Sequence, residues 1–186
     1  MKSMSIENLD SDIKKIVLIG LDNAGKSSIL LSLNSDTNLM SYFSLKPTIG
    51  IKTREIIQGN KTFQIWDFGG QKRFRDDYID ELDKHLIGTD KIIFVFDIQD
   101  VDRYDIAFDY LKKIVDFLYK SKMEIDFSIF LHKFDPGIEE KEEFKDPYIQ
   151  KHIINRFKKI FSENRTIKIF KTTIYTIFEK KQYFAI

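Results

Sequence analysis

The sequence predicts a doubly wound α/β domain on a mostly parallel six-stranded sheet with one antiparallel strand pair. Three observations predict it. Apolar runs of strand length alternate with stretches of helical period, as in parallel sheets with crossover helices. A glycine-rich turn joins the first run to a helical stretch, and two later runs are separated only by the turn pair Gly59-Asn60. The 186 residues, 42% hydrophobic and 32% charged, suit one domain with a substantial core.

Each predicted element follows from its hydrophobic period. Continuous or alternating apolar runs predict strands at residues 15–20, 49–58, 61–67, 91–97, 127–132 and 166–171. Apolar positions three and four residues apart predict helices at residues 25–34, 102–120 and 144–161. Residues 35–47 are polar and irregular and are predicted to be a long loop, and a short helix is expected to end the chain. We expect residues 1–14 to be an N-terminal extension of a domain formed by residues 15–186.

The longest predicted helix has a clear apolar face. That face is expected to be buried and comprises Ile106, Tyr110, Leu111, Ile114, Val115 and Leu118.

Composition excludes several classes of function. A net charge of +1 without a basic and aromatic stripe argues against nucleic acid as a partner. The absence of cysteine excludes disulfides, thiolate metal sites, palmitoylation and prenylation. Lys2 stands where myristoylation requires glycine, and the longest apolar runs are too short to span a bilayer. We therefore expect a cytoplasmic protein without a lipid anchor, which would reach a membrane only through a partner.

The most informative motif is Gly20-Leu21-Asp22-Asn23-Ala24-Gly25-Lys26-Ser27, which fits the P-loop pattern GxxxxGK[ST] between a strand and a helix. Its glycines let the backbone turn around an anion, and the helix start directs free N–H groups toward it. Lys26 is expected to reach the β- and γ-phosphates, and the Ser27 hydroxyl to bind Mg²⁺. An ordinary glycine turn is the alternative. The motif indicates a P-loop nucleotide site.

A second motif ends the strand at residues 61–67. Asp67 closes the strand, and Gly69, Gly70 and Gln71 follow it. An aspartate there can hold Mg²⁺ through water, a glycine N–H can bind a γ-phosphate oxygen, and a glutamine can orient the attacking water. A hairpin strand that ends in a Gly-Gly turn is the alternative, which the P-loop upstream disfavours.

A third candidate is Thr48, in the segment Lys46-Pro47-Thr48-Ile49-Gly50. Its hydroxyl and carbonyl are placed to sense Mg²⁺ and the γ-phosphate, because γ-phosphate contacts order such loops in nucleotide switches. A strand cap is the alternative.

Together these strings closely resemble the phosphate-binding loop, switch I and switch II of Ras-superfamily small GTPases, specifically the Arf/Sar branch. The later half resembles the Rag/Gtr GTPases in Phe94-Val95-Phe96-Asp97, in the segment from Phe130 to Asp135 and in Lys171-Thr172-Thr173-Ile174-Tyr175. The resemblance implies a small GTPase G domain of the P-loop NTPase class. It covers nearly the whole chain.

The resemblance also assigns nucleotide contacts. Around the phosphates these are Asp22, Asn23, Ala24, Gly25, Lys26, Ser27, Ser28, Thr48 and Gly70. At the base they are His132, Lys133 and Asp135, with Thr173 and Ile174 in place of the last family motif. His132 replaces the usual asparagine, a departure that Rag-like proteins share. Asp135 favours GTP, because adenine would leave its carboxylate unpaired at a cost of roughly 1–3 kcal/mol.

By the same resemblance, the expected function is a GDP/GTP switch with slow Mg²⁺-dependent hydrolysis. Gln71 would orient the attacking water, Lys26 and Mg²⁺ would neutralise charge, and Thr48 and Gly70 would close over the phosphate. Metal ligands would be Ser27, Thr48 and, through water, Asp67. No arginine lies close before Thr48, so slow turnover is expected unless an activating protein supplies one. Arg73 and Arg75 are interpreted as solvent or partner contacts.

Expected partners are guanine nucleotides, activating and exchange proteins, and effectors. The alternative function is a hydrolysis-deficient, GTP-bound scaffold that dimerises or docks on roadblock- or longin-type proteins, as Rag-like proteins do; Gln71 argues against it. An ATP-using P-loop enzyme is disfavoured by Lys133 and Asp135.

Overall fold

A computed structural model describes residues 12–34, 36–161 and 165–175. Within them a six-stranded sheet has the order β2-β3-β1-β4-β5-β6. Its strands are β1 Asp12–Gly20, β2 Ile51–Gln58, β3 Lys61–Phe68, β4 Lys91–Asp97, β5 Asp126–His132 and β6 Lys168–Lys171. The β2–β3 pair is antiparallel and all other pairs are parallel. The predicted fold class is confirmed, with the hairpin at one edge.

The helices connect the strands on both faces of the sheet. They are α1 Lys26–Ser32, α2 Leu39–Phe43, α3 Lys72–Asp80, α4 Leu82–His85, α5 Tyr104–Lys120, α6 Asp146–Ile149 and α7 Asn155–Ile160, with a π-helical turn Gln150–Ile154 that joins the last two. Single 3₁₀ turns lie at Val101–Arg103, Ile138–Glu140 and Glu142–Phe144.

Parallel pairing places the functional loops at one edge of the sheet. Register aligns Leu18 with Asp67 across β1 and β3, and Asp97 with His132 across β4 and β5. These four strands therefore end side by side, and the loops after them meet. In open α/β sheets ligands bind at this carboxyl edge, where strand order reverses.

The core lies on both faces of the sheet. The larger cluster packs β1, β4 and β5 against α5 and α7, with Phe94, Leu111 and Phe157 fully buried. The smaller cluster packs Leu30 of α1 against Leu18 of β1 and other sheet residues. Strands covered on both faces explain the continuous apolar runs in the sequence.

Several predicted bounds and faces were wrong. The first strand begins at Asp12 rather than residue 15, because its early residues pair with β3. The predicted loop at residues 35–47 contains α2, which a reciprocal capping box between Asn38 and Ser41 starts. Ile106, predicted to lie on the buried face of α5, is 47% exposed.

The late helix and the last strand also differ from prediction. Phe144 lies in a 3₁₀ turn, α6 starts with Pro147 in its first turn, and a π-helical turn interrupts the helix before α7. Proline is favoured in a first helical turn because its missing N–H needs no partner there. The last strand is confined to Lys168–Lys171, and the predicted terminal helix falls largely on residues 176–186, outside the described residues.

Over the part of the chain that the structure describes, no helix combines the length and the apolar character needed to cross a membrane.

Candidate functional site

The P-loop curls tightly between β1 and α1. Asn23 and Gly25 adopt left-handed backbone conformations, with φ of 59° and 90°. Gly25 is required for a second reason, since a Cβ there would lie 2.4 Å from the His132 ring. The sequence GLDNAGKS therefore forms its turn with a glycine at the position where space and φ both exclude a side chain.

Lys26 is folded back into this loop and is 5% exposed. Its Nζ donates hydrogen bonds to the carbonyl oxygens of Gly20, at 3.1 Å, and Leu21, at 2.6 Å. Burial lowers the pKa of Lys26 to about 8, while the carboxylates of Asp67 and Asp22 oppose that shift. Backbone carbonyls thus hold a desolvated cation at the loop, where an anion would be a stronger partner.

Three oxygen-bearing side chains from separate segments converge beside Lys26. The Ser27 hydroxyl donates to Asp67 Oδ2 at 2.6 Å, and the Thr48 hydroxyl donates to the same oxygen at 3.1 Å. Ser27 Oγ and Thr48 Oγ1 are 2.9 Å apart. Thr48 is 8% and Asp67 2% exposed. The structure thereby joins the P-loop, the segment before β2 and the end of β3 at one point.

This oxygen cluster fits a magnesium ion by an observation of its own. Asp67 Oδ1 is buried and has no hydrogen-bond partner among the described residues. A buried carboxylate oxygen without a donor is costly, and a bound cation or its water would satisfy it. Hydroxyl and carboxylate oxygens are the ligands that Mg²⁺ prefers.

The glycine pair after β3 lies directly on the P-loop. Gly70 accepts a hydrogen bond from the Asp22 amide at 3.0 Å, and Gly69 donates to the Gly50 carbonyl at 2.9 Å. A Cβ on Gly70 would lie 2.1 Å from the Asp22 nitrogen, so only glycine fits this contact. Gln71 follows as the residue that precedes α3.

A cavity opens between these segments. It is lined by Asp22, Asn23, Gly25, Lys26, Ser27 and Ser28 of the P-loop, by residues 45–48, and by Gly70 and Gln71. The predicted P-loop residue Ala24 is 1% exposed and packs in the smaller core cluster, so its side chain is structural.

Of the two roles predicted for Arg75, contact with solvent or with a partner, the structure contradicts the first. Its side chain is 11% exposed and lies 3.7 Å from the Asp22 carboxylate, and its Nη1 donates to the Gly70 carbonyl at 3.0 Å. Arg103, which sequence reasoning missed, donates to both Asp22 Oδ1 and the Asp22 carbonyl. Asp22 therefore has a structural role, since it ties the P-loop to α3 and to the loop after β4.

At the other end of the P-loop lies the predicted base site. His132 is 3% exposed, and its Nδ1 is 2.9 Å from Thr172 Oγ1. Its ring packs on Gly25. Burial lowers the pKa of His132, although nearby Asp97 opposes the shift. A neutral imidazole thus fills the space between the P-loop and the segment after β6.

The Asp135 carboxylate is held from two sides. Its Oδ1 accepts from Thr173 Oγ1 at 2.5 Å, and its Oδ2 accepts from Gln99 Nε2 at 2.8 Å. Lys133 has a φ of 61° and an Nζ 2.6 Å from Asp97 Oδ2. The structure therefore brings His132, Lys133, Asp135 and Thr173 together at one edge. For Ile174 it shows only a half-buried position after β6.

Sequence reasoning missed Asp97, Gln99 and Thr172 as members of this edge. The polar residues Asp97 and Gln99 come at the carboxyl end of a buried strand, which is a signal that could have identified them. Asp97 and Thr172 both lie in strings that resemble the Rag/Gtr proteins, but the contact of Thr172 with His132 depends on the pairing of β5 with β6.

Similarity to known proteins shows the family of this chain. The conserved region of the Gtr1/RagA G proteins matches residues 15–180. The chain belongs to the Gtr1/RagA G-protein family. ADP-ribosylation factor-like protein 2 of Arabidopsis thaliana is 37% identical over 92 residues, which are 49% of this chain and 45% of that protein. ADP-ribosylation factor-like protein 5 of Caenorhabditis elegans is 37% identical over 92 residues, 50% of this chain and 47% of that protein.

These alignments span about half the length of the curated relatives. The solved Arl6 BBS3 small GTPase from Trypanosoma brucei, with a bound nucleotide analogue, superposes with a TM-score of 0.62 over 87% of both chains at 19% identity, which shows a shared fold. The resemblance drawn from the motifs is confirmed in both parts. The chain is thus a member of the Gtr1/RagA G-protein family that is similar, over about half its length, to ADP-ribosylation factor-like proteins.

Proposed function

We propose that this G protein is a GDP/GTP switch that hydrolyses GTP slowly with Mg²⁺ and signals through partner binding. The observation that carries the proposal is the convergence of Ser27, Thr48 and Asp67. The Ser27 and Thr48 hydroxyls lie 2.6 Å and 3.1 Å from the same carboxylate oxygen, Asp67 Oδ2. Thr48 belongs to a loop, whereas Ser27 and Asp67 belong to the P-loop and a core strand. A ligand that binds all three changes the position of the loop, and that is the basis of a switch.

The oxygen cluster is proposed to hold Mg²⁺, with the Ser27 and Thr48 hydroxyls as direct ligands and Asp67 acting through water. When bound, the ion neutralises phosphate charge and orients the β- and γ-phosphates. Lys26 contributes a buried positive charge to the same oxygens. The P-loop amides and the Gly70 amide are proposed to hold the phosphate from its other sides.

Guanine recognition is assigned to Asp135. Its carboxylate can accept from the ring N–H and the exocyclic amine of guanine, whereas adenine offers an acceptor and no amine at those positions. His132 is proposed to position the P-loop relative to the base site through Gly25 and Thr172. Thr173 and Ile174 are proposed to lie beside the base.

Hydrolysis is proposed to be an in-line attack of water on the γ-phosphorus, with Gln71 orienting that water. Two partly buried arginines near the P-loop are hydrogen-bonded to its surroundings: Arg75 to the Gly70 carbonyl and Arg103 to the Asp22 carboxylate. We infer that they are committed to these contacts and that the intrinsic rate is slow. A separate activating protein that supplies an arginine would accelerate the reaction by about 10³–10⁵-fold.

The first experiment is extraction and chromatography of the nucleotide that copurifies, followed by single-turnover GTP hydrolysis with and without Mg²⁺. The test variants are Gln71→Leu for hydrolysis and Asp67→Asn for Mg²⁺ dependence, with Asp80→Asn on α3 as the matched control. Bound guanine nucleotide, with slow hydrolysis that Gln71→Leu abolishes, supports the switch.

Other results separate the alternatives. Tight GTP binding without hydrolysis in the wild type would support the scaffold that dimerises or docks on roadblock- or longin-type proteins. Absence of any affinity for GTP and Mg²⁺ would refute both functions. Exchange proteins and effectors are the further partners that a switch implies.

A further inference from the structure

Gln99 lies on the loop after β4 and bridges two groups on the loop after β5. Its Nε2 donates to the Lys133 carbonyl at 2.7 Å and to Asp135 Oδ2 at 2.8 Å. Both partners are oxygen atoms that only accept, so the amide nitrogen, with its two hydrogens, must face them. The orientation of this side chain is therefore fixed by its contacts.

The backbone of the same loop is tied to the same place. The Gln99 amide donates to Asp97 Oδ1 at 3.0 Å, and Asp97 Oδ2 lies 2.6 Å from Lys133 Nζ. Asp97 is largely buried. The backbone of Gln99 is thus held by Asp97 at the end of a core strand. Its exposed side chain in turn holds the Asp135 carboxylate through a hydrogen bond.

The hydrogen-bonding capacity of the Asp135 carboxylate explains what this contact does. An ionised carboxylate has about four acceptor sites, two on each oxygen. Thr173 occupies one site on Oδ1, and Gln99 occupies one on Oδ2. One site on each oxygen remains, which matches the two N–H groups along one edge of guanine.

We propose that Gln99 is a specificity-determining positioning residue for the base, which orients the Asp135 carboxylate so that its two remaining acceptor sites read guanine. This inference rests on the proposed binding of guanine nucleotides and identifies a residue outside the base-recognition motifs. Without Gln99, the Asp135 carboxylate would keep one fixing contact, to Thr173, and could rotate toward water.

The test measures the affinities of GDP, inosine diphosphate and ADP, with Mg²⁺, by displacement of a fluorescent GDP analogue. Inosine diphosphate keeps the ring N–H of guanine but lacks the exocyclic amine. Gln99→Ala is expected to weaken GDP binding roughly tenfold, the scale of a hydrogen bond to a charged group, and to narrow the preference for GDP over inosine diphosphate.

Gln99→Glu separates positioning from packing. Glutamate has the shape of glutamine, but its carboxylate has no hydrogen to donate to the Lys133 carbonyl or to Asp135 Oδ2. Its negative charge also repels the Asp135 carboxylate. GDP affinity is expected to fall in the order wild type, alanine variant, glutamate variant. Gln58→Ala, an exposed glutamine at the end of β2, is the matched control and should leave all three affinities unchanged.

Each outcome is decisive. Equal affinities and base preference for wild type and both Gln99 variants would overturn the role of Gln99 while leaving the switch intact. A glutamate variant that binds like wild type would also overturn it, since shape alone would then suffice. A wild-type protein that binds no GDP would overturn the proposed function and this inference together. Thermal unfolding of each variant identifies any general loss of folding.

Discussion

At the scale of single residues, His132 shows how a histidine is accommodated where other small GTPases usually have asparagine. It is 3% exposed and lies against Gly25, and its Nδ1 is 2.9 Å from Thr172 Oγ1. Burial disfavours the charged imidazolium, so the ring remains neutral at a lower pH than in water. A neutral ring can hydrogen-bond to the threonine while its other edge packs on the glycine backbone.

This environment predicts a pH dependence of stability. The pKa of His132 is lowered in the folded protein, so the unfolded chain binds more protons between that pKa and 6.5. The free energy of unfolding should therefore fall as the pH drops below 6.5, by at most about 1.4 kcal/mol per pH unit. Urea denaturation across that range measures it. His132→Asn should flatten the dependence.

The matched control for this prediction is His152→Asn. His152 is exposed on the π-helical turn, so its replacement should leave the slope of the wild type. An unchanged slope in His132→Asn would contradict the assignment of the pH effect to burial of that ring.

At the scale of elements, the contact between the P-loop and the segment after β3 requires a residue without a side chain, Gly70. Gly70 lies so close to the Leu21–Asp22 peptide that a Cβ would be 2.1 Å from the Asp22 nitrogen and 2.2 Å from the Leu21 carbonyl carbon. The clash is with backbone, which cannot move aside as the end of a side chain can.

Gly70→Ala should therefore move this segment away from the proposed phosphate site. Single-turnover GTP hydrolysis is expected to slow by about 100-fold, since a misplacement of about 1 Å can cost that much. Gly59→Ala in the β2–β3 turn is the control: a Cβ there meets nothing within 4 Å, and at a φ of 62° the substitution strains the backbone of a turn outside the proposed site. A Gly70→Ala protein with the wild-type rate would show that this contact is not used in catalysis.

Helix α5 provides a second test at the same scale. Leu111 is 0% exposed in the larger core cluster, whereas Ile106, on the same helix, is 47% exposed. Leu111→Ala should lower the free energy of unfolding by about 2–5 kcal/mol. Ile106→Ala should lower it by less than about 1 kcal/mol. Urea denaturation of both variants checks the comparison, and equal losses would contradict the burial of this helix.

At the scale of the whole molecule, the proposed nucleotide site includes residues from most of the sheet. Its residues come from the ends of β1, β3, β4 and β5 and from the segments before β2 and after β6. A ligand that contacts all of these segments binds the folded state and not the unfolded chain, so it should stabilise the domain as a unit.

We expect GDP with Mg²⁺, at 100 times its Kd, to raise the free energy of unfolding by about 2.7 kcal/mol. Thermal unfolding at several GDP concentrations measures this effect, with ADP at the same concentrations as the control. Removal of Mg²⁺ by a chelator should reduce the gain. Equal stabilisation by ADP would contradict guanine selectivity.

The sequence alone determined the fold class and predicted which residues would form a phosphate site. Both depend on local patterns, since a buried parallel strand is a continuous apolar run and a P-loop is a contiguous string. The family followed from the same strings, and the match to the Gtr1/RagA conserved region confirms it.

Only the tertiary structure decided which distant residues meet. The burial of Arg75, the bridge from Gln99 to Asp135, and the contact of His132 with Gly25 join segments far apart in the chain. Such contacts depend on strand order and register, which bring together loop ends that no local pattern relates. Short elements such as α2 were also beyond the sequence, because five residues give too little periodicity to identify a helix.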